Sequence, residues 1–371
     1  MKKILIYGLS ALGVILSASC SDLLEEESYV EVGKNNYVNN ADEAETVLMG
    51  IYKDLTNEYM YSYHLSLLFT ISSDIAQCEG NGTSAFREIP TNSHNTSTSQ
   101  ILQTWQKLYS SIYDANDFIE TVSSRMDSWS ASNRELATIY LGEARALRAL
   151  FYFELVRWYG NIVLITSTAD SAKAASEYVQ ADPKDVYAFI EADLKYAAEV
   201  LPWAVDDTKR TSNAYRMSKG SALGLLTKVY CTWAGYPVRD ESKWAEAAKV
   251  ARQVIESGKH RLNPDYETVW RNTCNGIWDA GESLIEVSFY SPTSLDSDQT
   301  YRQMERRGGR RGRGSARAQC RQLEGGLHLH ARVGDAQRPA HGAVDCRLQV
   351  RFVEGRRADH LFLDGRQAHG G

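Results

Sequence analysis

The sequence predicts an all-α protein, built as an array of helical repeats, on three observations. Apolar residues recur every three or four positions through most of residues 40–258, which is the period of an amphipathic helix. Capping residues precede several of these segments, and Gly or Pro follows them. Small alanines lie among the apolar positions, so that neighbouring helices can pack closely.

The first two predicted helices cover residues 41–56 and 101–122. The first has acidic residues in its first turn, where the helix dipole favours them. Each has five apolar residues on one face: Ala44, Val47, Leu48, Ile51 and Leu55 in the first, and Trp105, Leu108, Ile112, Ala115 and Ile119 in the second. Such a stripe predicts that each helix buries one side against a neighbour.

Four further helices are predicted at residues 135–160, 182–202, 218–235 and 242–259. The first of them is long and stops at Gly160, and the second opens with Asp182 as N-cap and Pro183 at the first helical position. Gly258 ends the last one. Small residues on these helices favour an array of the tetratricopeptide kind, in which the connecting loops carry any ligand site: Ala144, Ala149, Ala222, Ala247, Ala248 and Ala251.

Side chains at helical spacing are assigned structural roles. Glu143, Arg145 and Arg148 can form ion pairs with one another or across a helix pair, and a catalytic acid with an arginine clamp is the alternative. Three carboxylates of the 182–202 helix are predicted to lie on its solvated face, namely Glu191, Asp193 and Glu199. Ten aromatic residues are predicted to pack in the core or between helices: Trp105, Tyr109, Phe151, Tyr152, Phe153, Trp158, Tyr187, Phe189, Tyr230 and Trp244.

The first 20 residues have the pattern of a bacterial lipoprotein signal. Lys2 and Lys3 precede an apolar run over residues 4–16, which is too short to span a bilayer. Cys20 follows Ser-Ala-Ser, as in a lipobox, and is predicted to be acylated and to become the first mature residue. The alternative is a soluble secreted protein that is cut near Ala18.

Seven sequence blocks lie between about residue 40 and residue 289, among them "WQKLYSSIYDANDFIE", "GEARALRALFYFELVRWYG" and "YRMSKGSALGLLTKVY". In sequence and in order, these blocks resemble those of the SusD/RagB family, which comprises surface glycan-binding lipoproteins of Bacteroidetes. The acidic start "CSDLLEEE" resembles the export signal that sends such lipoproteins to the outer face of the outer membrane. The resemblance implies oligosaccharide binding, a SusC-like TonB-dependent transporter as partner, and no catalytic residue, metal or cofactor.

Residues 302–371 differ sharply in composition from the rest of the chain. They contain 15 Arg but no Lys, Tyr or Trp. Their net charge is +8, whereas the net charge of residues 1–301 is −14. The resemblance also stops near Tyr301, so this stretch is interpreted as a disordered frameshift product, with a natural basic extension as the alternative. The predicted organisation is a signal peptide (1–19), an acidic lipid-anchored linker (20–39), an incomplete helical domain (40–301) and the tail (302–371).

Loop residues supply the predicted ligand contacts. Sugars present apolar C–H faces ringed with hydroxyls, so a site needs aromatic platforms and a few polar partners. Residues 78–100 are rich in Gly, Ser, Thr and Asn and match the family region where ligand contacts often lie. Eight candidates come from this loop and from the region beginning at residue 272: Phe86, Arg87, Asn92, Asn95, Asn275, Trp278, Asp279 and Tyr290.

Three further patterns concern the cysteines, a modification site and a possible nucleic acid partner. Cys78, Cys231 and Cys274 form no metal or redox pattern and are predicted to be buried and apolar, and "HLH" at 328–330 belongs to the anomalous tail. "DSA" matches a short O-glycosylation sequon that would modify Ser171. The Arg- and Gly-rich stretch 305–322 lacks the interleaved aromatic residues that single-strand nucleic acid binders use, and a secreted, acidic lipoprotein has no route to such a partner, so none is expected.

Two function classes compete with glycan binding. A tetratricopeptide-like groove can serve as a pure protein-interaction scaffold without glycan affinity. A glycoside hydrolase would need two carboxylates that face each other across a sugar cleft, whereas the acidic residues here follow helix faces and caps. The resemblance favours a non-enzymatic, lipid-anchored glycan-binding protein of the cell surface, and the protein-interaction scaffold is the alternative.

Overall fold

Helices dominate the part of the chain that the computed structural model describes, which is residues 37–66, 88–89, 91–210, 213–275 and 277–288. Residues 40–288 of this set belong to one unit. Its α-helices are α1 (Ala41–Asp54), α2 (Ser99–Arg125), α3 (Ala131–Tyr159), α4 (Thr168–Ser171), α5 (Pro183–Val200), α6 (Lys219–Ala234), α7 (Lys243–Glu256) and α8 (Tyr266–Asn275). The predicted all-α class and the six predicted helices are confirmed, whereas α4 and α8 were not predicted from the periodicity.

Local capping explains where several helices begin and end. The side chain of Asn40 accepts a hydrogen bond from the Glu43 amide at the start of α1, at 3.0 Å. Asp182 caps α5 by accepting from the Lys184 amide at 2.8 Å, with Pro183 in the first turn as predicted. Gly160 follows α3 with φ of +71°, a conformation that favours glycine over residues with a side chain.

The central element is α3, which packs against α1, α2, α5 and α6. Every residue from 139 to 156 is buried except Arg145, so this helix is buried on nearly all sides. Gly142 lies close to the end of α5, because a Cβ atom there would lie 2.5 Å from Cγ2 of Val200. Sequential helix pairs complete the array: α5 contacts α6, and α6 contacts α7.

A buried ion pair connects α3 to α5. Arg148 donates through Nε and Nη2 to the two carboxylate oxygens of Asp193, each at 2.8 Å, and through Nη1 to Asn116 at 2.7 Å. Asp193 is only 3% exposed, so its predicted place on a solvated face is wrong. The carboxylate is buried because the bidentate arginine satisfies it. Glu199 is exposed as predicted, and Glu191 is half-buried.

A second buried network surrounds Glu143 of α3. Its carboxylate accepts hydrogen bonds from Tyr52 at 2.5 Å and from Nε and Nη2 of Arg216 at 2.9 and 2.7 Å. Arg210 lies 3.0 Å from the same carboxylate. These contacts tie the segment that precedes α6 to α1 and α3, so Glu143 pairs across elements as predicted. Arg145 stacks on the ring of Tyr196 instead, 4.0 Å from its centroid.

Two further predictions about packing are wrong. Trp244 is 51% exposed, because α7 buries only Ala247 and Val250 and Trp244 lies at the edge of that face. Cys231 is exposed on α6, although its neighbour Tyr230 is buried. Cys78 and the side chain of Cys274 lie outside the described residues. Among the helices described, none is long and apolar enough to cross a membrane.

Candidate functional site

A cavity of about 850 Å³ opens between α3, α6, α8 and the segment 277–287. This volume is within the range of small-molecule binding sites, roughly 300–1,000 Å³. Its apolar walls include Leu150 and Phe153 of α3 and Leu225 of α6. Gly224 of α6 allows the opposite wall to approach, because a Cβ atom there would lie 2.8 Å from Cδ1 of Leu284.

The polar side of the cavity is built on α3. Tyr61 donates its hydroxyl proton to Glu154 at 2.8 Å, and Arg157 donates to the other carboxylate oxygen at 2.6 Å. The Arg157 guanidinium also lies 4.5 Å from the ring centroid of Phe153. Burial, with the neighbouring Glu154 carboxylate, raises the pKa of Tyr61 well above its usual value, so its hydroxyl stays protonated and remains a donor.

Hydrogen bonds from α6 and from Asn263 hold the segment 277–287 in place, and a further bond within the segment closes its turn. Asp279 caps its turn by accepting from the Gly281 amide at 2.9 Å. Ser221 at the start of α6 donates its hydroxyl to the carbonyl of Leu284 at 2.5 Å, and Glu282 accepts from the Asn263 amide. A wall that is fixed in this way keeps the cavity preorganised, which lowers the entropy lost on ligand binding.

An aromatic pair lies beside this wall. The rings of Tyr215 and Trp278 are 6.0 Å apart at an interplanar angle of 44°, and Trp278 stands between two residues that line the cavity. Burial raises the pKa of Tyr215, and the charge of Glu286, another lining residue, raises it further. Both rings are partly exposed, so the pair provides the kind of aromatic surface on which a sugar ring stacks.

The predicted site residues fall into two places. Asp279 lines the cavity and Trp278 adjoins it, so these two predictions meet at one site. Asn275 is the last residue of α8 rather than a loop residue, and its side chain lies outside the described residues. Phe86, Arg87 and Tyr290, like Cys20, also lie outside the described residues.

Asn92 and Asn95 belong to a separate exposed turn before α2 and do not line the cavity. The side chain of Asn95 accepts from the Ser97 amide at 2.8 Å, which is a local turn contact. Asn92 has φ of +54°, which asparagine tolerates better than most residues. The predicted modification residue Ser171 ends α4 and is half-buried.

Sequence reasoning missed the residues that give the cavity its polar side, such as Tyr61, Glu154, Arg157 and Lys228. A weak signal existed, since Glu154 and Arg157 are three positions apart on one helix and can pair there. Tyr61 and Lys228 carry no such signal, because only the tertiary fold places them at one cavity. In the described part of the chain, no group of three or more His, Cys, Asp or Glu side chains could hold a metal ion.

Comparison with known proteins places this architecture in a family. Residues 22–231, more than half of the chain, match the SusD-like family model described as "Starch-binding associating with outer membrane". The chain belongs to the SusD-like family. The resemblance seen in the sequence blocks is therefore confirmed, and the family is one of starch- or glycan-binding proteins associated with the outer membrane.

Relatives and solved structures agree with this assignment. SusD-like protein P2 of Formosa agariphila is 27% identical over 275 residues, which is 73% of this chain and 50% of the relative. A SusD homologue of Bacteroides thetaiotaomicron is 58% identical with a TM-score of 0.69, over 73% of this chain and 51% of its own. A laminarin-binding SusD-like protein is 26% identical with a TM-score of 0.52, over 64% and 50% of the two chains. This SusD-like chain thus spans about half the length of these relatives.

Proposed function

We propose that this chain is a non-enzymatic, cell-surface lipoprotein that binds oligosaccharides and delivers them to a SusC-like TonB-dependent transporter of the outer membrane. The observation that carries the proposal is the fixed cavity beside the Tyr215–Trp278 pair, in a chain of a starch- or glycan-binding family. A related SusD-like protein binds laminarin, which makes this glucan the first ligand to test.

The cavity and the aromatic pair have complementary tasks in this proposal. The partly exposed ring of Trp278 offers an apolar face for the C–H surface of a sugar. Asp279 and Asn272, which line the cavity, offer a carboxylate and an amide for its hydroxyl groups. Binding of this kind needs no nucleophile, and the proposed role is capture and transfer of the intact glycan.

Affinity electrophoresis in gels that contain laminarin, starch, mannan or galactan tests glycan binding. We expect retardation with at least one of these glycans, and loss of most of it in Trp278→Ala. The matched control is Trp244→Ala, which removes a half-exposed tryptophan from α7 that does not line the cavity. Absence of retardation with every polysaccharide tested would contradict the proposal and favour the protein-scaffold alternative.

Two further measurements test the remaining parts of the proposal. The anchor depends on Cys20, so Cys20→Ser should abolish labelling with a radioactive fatty acid and release the protein from the membrane. Purification from outer membranes in mild detergent should recover a TonB-dependent transporter with the wild-type chain. Recovery of the chain alone would contradict the delivery role, and release of reducing ends from a bound glycan would contradict the non-enzymatic role.

A further inference from the structure

We infer that the cavity selects uncharged glycans and discriminates against glycans that carry carboxylate or sulfate groups. This inference rests on the proposed glycan-binding function and concerns the same site. Its basis is the charge of the cavity walls. Among the lining residues that the structure describes, two cations, Arg157 and Lys228, face four carboxylates, a formal balance of −2: the carboxylates are Glu154, Asp279, Glu282 and Glu286.

The arginine is already committed within the protein. Arg157 donates to Glu154 at 2.6 Å, and Tyr61 donates to the other oxygen of that carboxylate. The pair is neutral as a unit, and its guanidinium also packs on the ring of Phe153. An anionic ligand at this arginine would lie beside the Glu154 carboxylate, whose like charge repels it.

The other three carboxylates form no ion pair within the described chain. Asp279 and Glu282 accept hydrogen bonds from the backbone amides of Gly281 and Asn263, and Glu286 accepts from the hydroxyl of Ser283. These neutral donors leave the negative charges in place. Because Arg157 pairs with Glu154, Lys228 is the remaining cation among the described lining residues that can offset these three carboxylates.

A nearby arginine does not reverse this balance. The guanidinium of Arg261 lies against Gly281, next to Asp279, but it does not line the cavity. The summed formal charge of the described wall and Arg261 is still negative. The cavity therefore favours hydroxyl donors, which carboxylates accept, and repels a second anion in a partly desolvated space.

The test compares one glycan with and without charge. The probe is laminarin, or whichever neutral glycan of the electrophoresis panel is retained, before and after oxidation of its primary hydroxyl groups to carboxylates. Calorimetric titration at low salt should show about tenfold or greater weakening for the oxidised form. The difference should shrink at high salt, because ions screen the repulsion.

Two variants distinguish the effect of the wall charge from a general loss of folding or of glycan binding. Asp279→Asn with Glu282→Gln keeps the amide-accepting oxygens and removes two negative charges, so discrimination against the oxidised glycan should fall several-fold. Lys228→Gln removes the remaining cation of the described cavity wall, so discrimination should increase. Oxidised glycan that binds as well as or better than the neutral one, or retention of acidic glycans alone, would overturn the inference and leave the glycan-binding function standing. Failure of every glycan to bind would overturn both.

Discussion

Replacement of Glu143 by Gln is expected to destabilise the helical array strongly. Glu143 is fully buried, and its two oxygens accept from Tyr52 and from two nitrogens of Arg216, with Arg210 at 3.0 Å. Glutamine retains one acceptor oxygen and directs an amide donor at arginine donors. Among the described ion pairs of these two buried guanidinium groups, Arg210 then keeps Asp207 and Arg216 keeps Glu45.

Glu143→Gln is expected to lower the free energy of unfolding by about 3–5 kcal/mol, which is the cost of removing one partner from a buried ion pair. Domains of ordinary stability have only about 5–15 kcal/mol in total, so the variant should unfold at a much lower denaturant concentration. Urea titration at neutral pH, followed by circular dichroism, measures this loss. The slope of the transition should not change if the unfolded state is the same.

The matched control is Glu135→Gln on the same helix. Glu135 is more than half exposed and pairs with an equally exposed Lys209, so its loss should cost less than about 1 kcal/mol. A loss below 1 kcal/mol for Glu143→Gln, at an unchanged slope, would refute the claim that this carboxylate holds the segment before α6 to α1 and α3.

Three other outcomes follow from the packing. Gly142→Ala should lower the free energy of unfolding by about 1–3 kcal/mol, because its Cβ would overlap Val200. The control Gly50→Ala on α1 has open space and should be neutral or stabilising. Equal unfolding free energies for the two variants would contradict the close α3–α5 contact. Burial lowers the pKa of His64 to about 4, so its protonation favours the unfolded chain. Stability should therefore decline by up to about 3 kcal/mol as pH falls from 6.5 to 4, and His64→Gln should reduce that slope in pH-dependent urea titrations. An unchanged slope would contradict the buried, neutral histidine.

Local sequence signals were enough to predict most of the helices. The ends of α3 and α5 follow from Gly160, Asp182 and Pro183, whose effects act within one turn. The burial of Asp193 was not predictable, because it depends on Arg148, which lies 45 positions earlier on another helix. A carboxylate on an amphipathic helix is normally solvated, and only the tertiary partner reverses that expectation.

Residues of the candidate cavity could be predicted only where they are close in sequence. Trp278 and Asp279 were predicted from one short segment, and both are at the cavity or next to it. Asn92 and Asn95 were predicted from loop composition and from the family region that this loop matches; composition does not specify where a loop lies, and these residues belong to another turn. Tyr61 reaches the cavity through a contact with Glu154, 93 positions away, and no local pattern predicts such a pair.

A crystal structure of this SusD-like chain with a laminarin oligosaccharide tests the central claim most directly. We predict that a sugar ring stacks on Trp278 and that its hydroxyl groups contact Asp279 at the cavity wall. Sugar bound only at another surface, such as the turn that contains Asn92 and Asn95, would contradict the assignment of the cavity as the glycan site. Crystals that hold no sugar, together with the absence of any retardation in glycan gels, would contradict glycan binding itself.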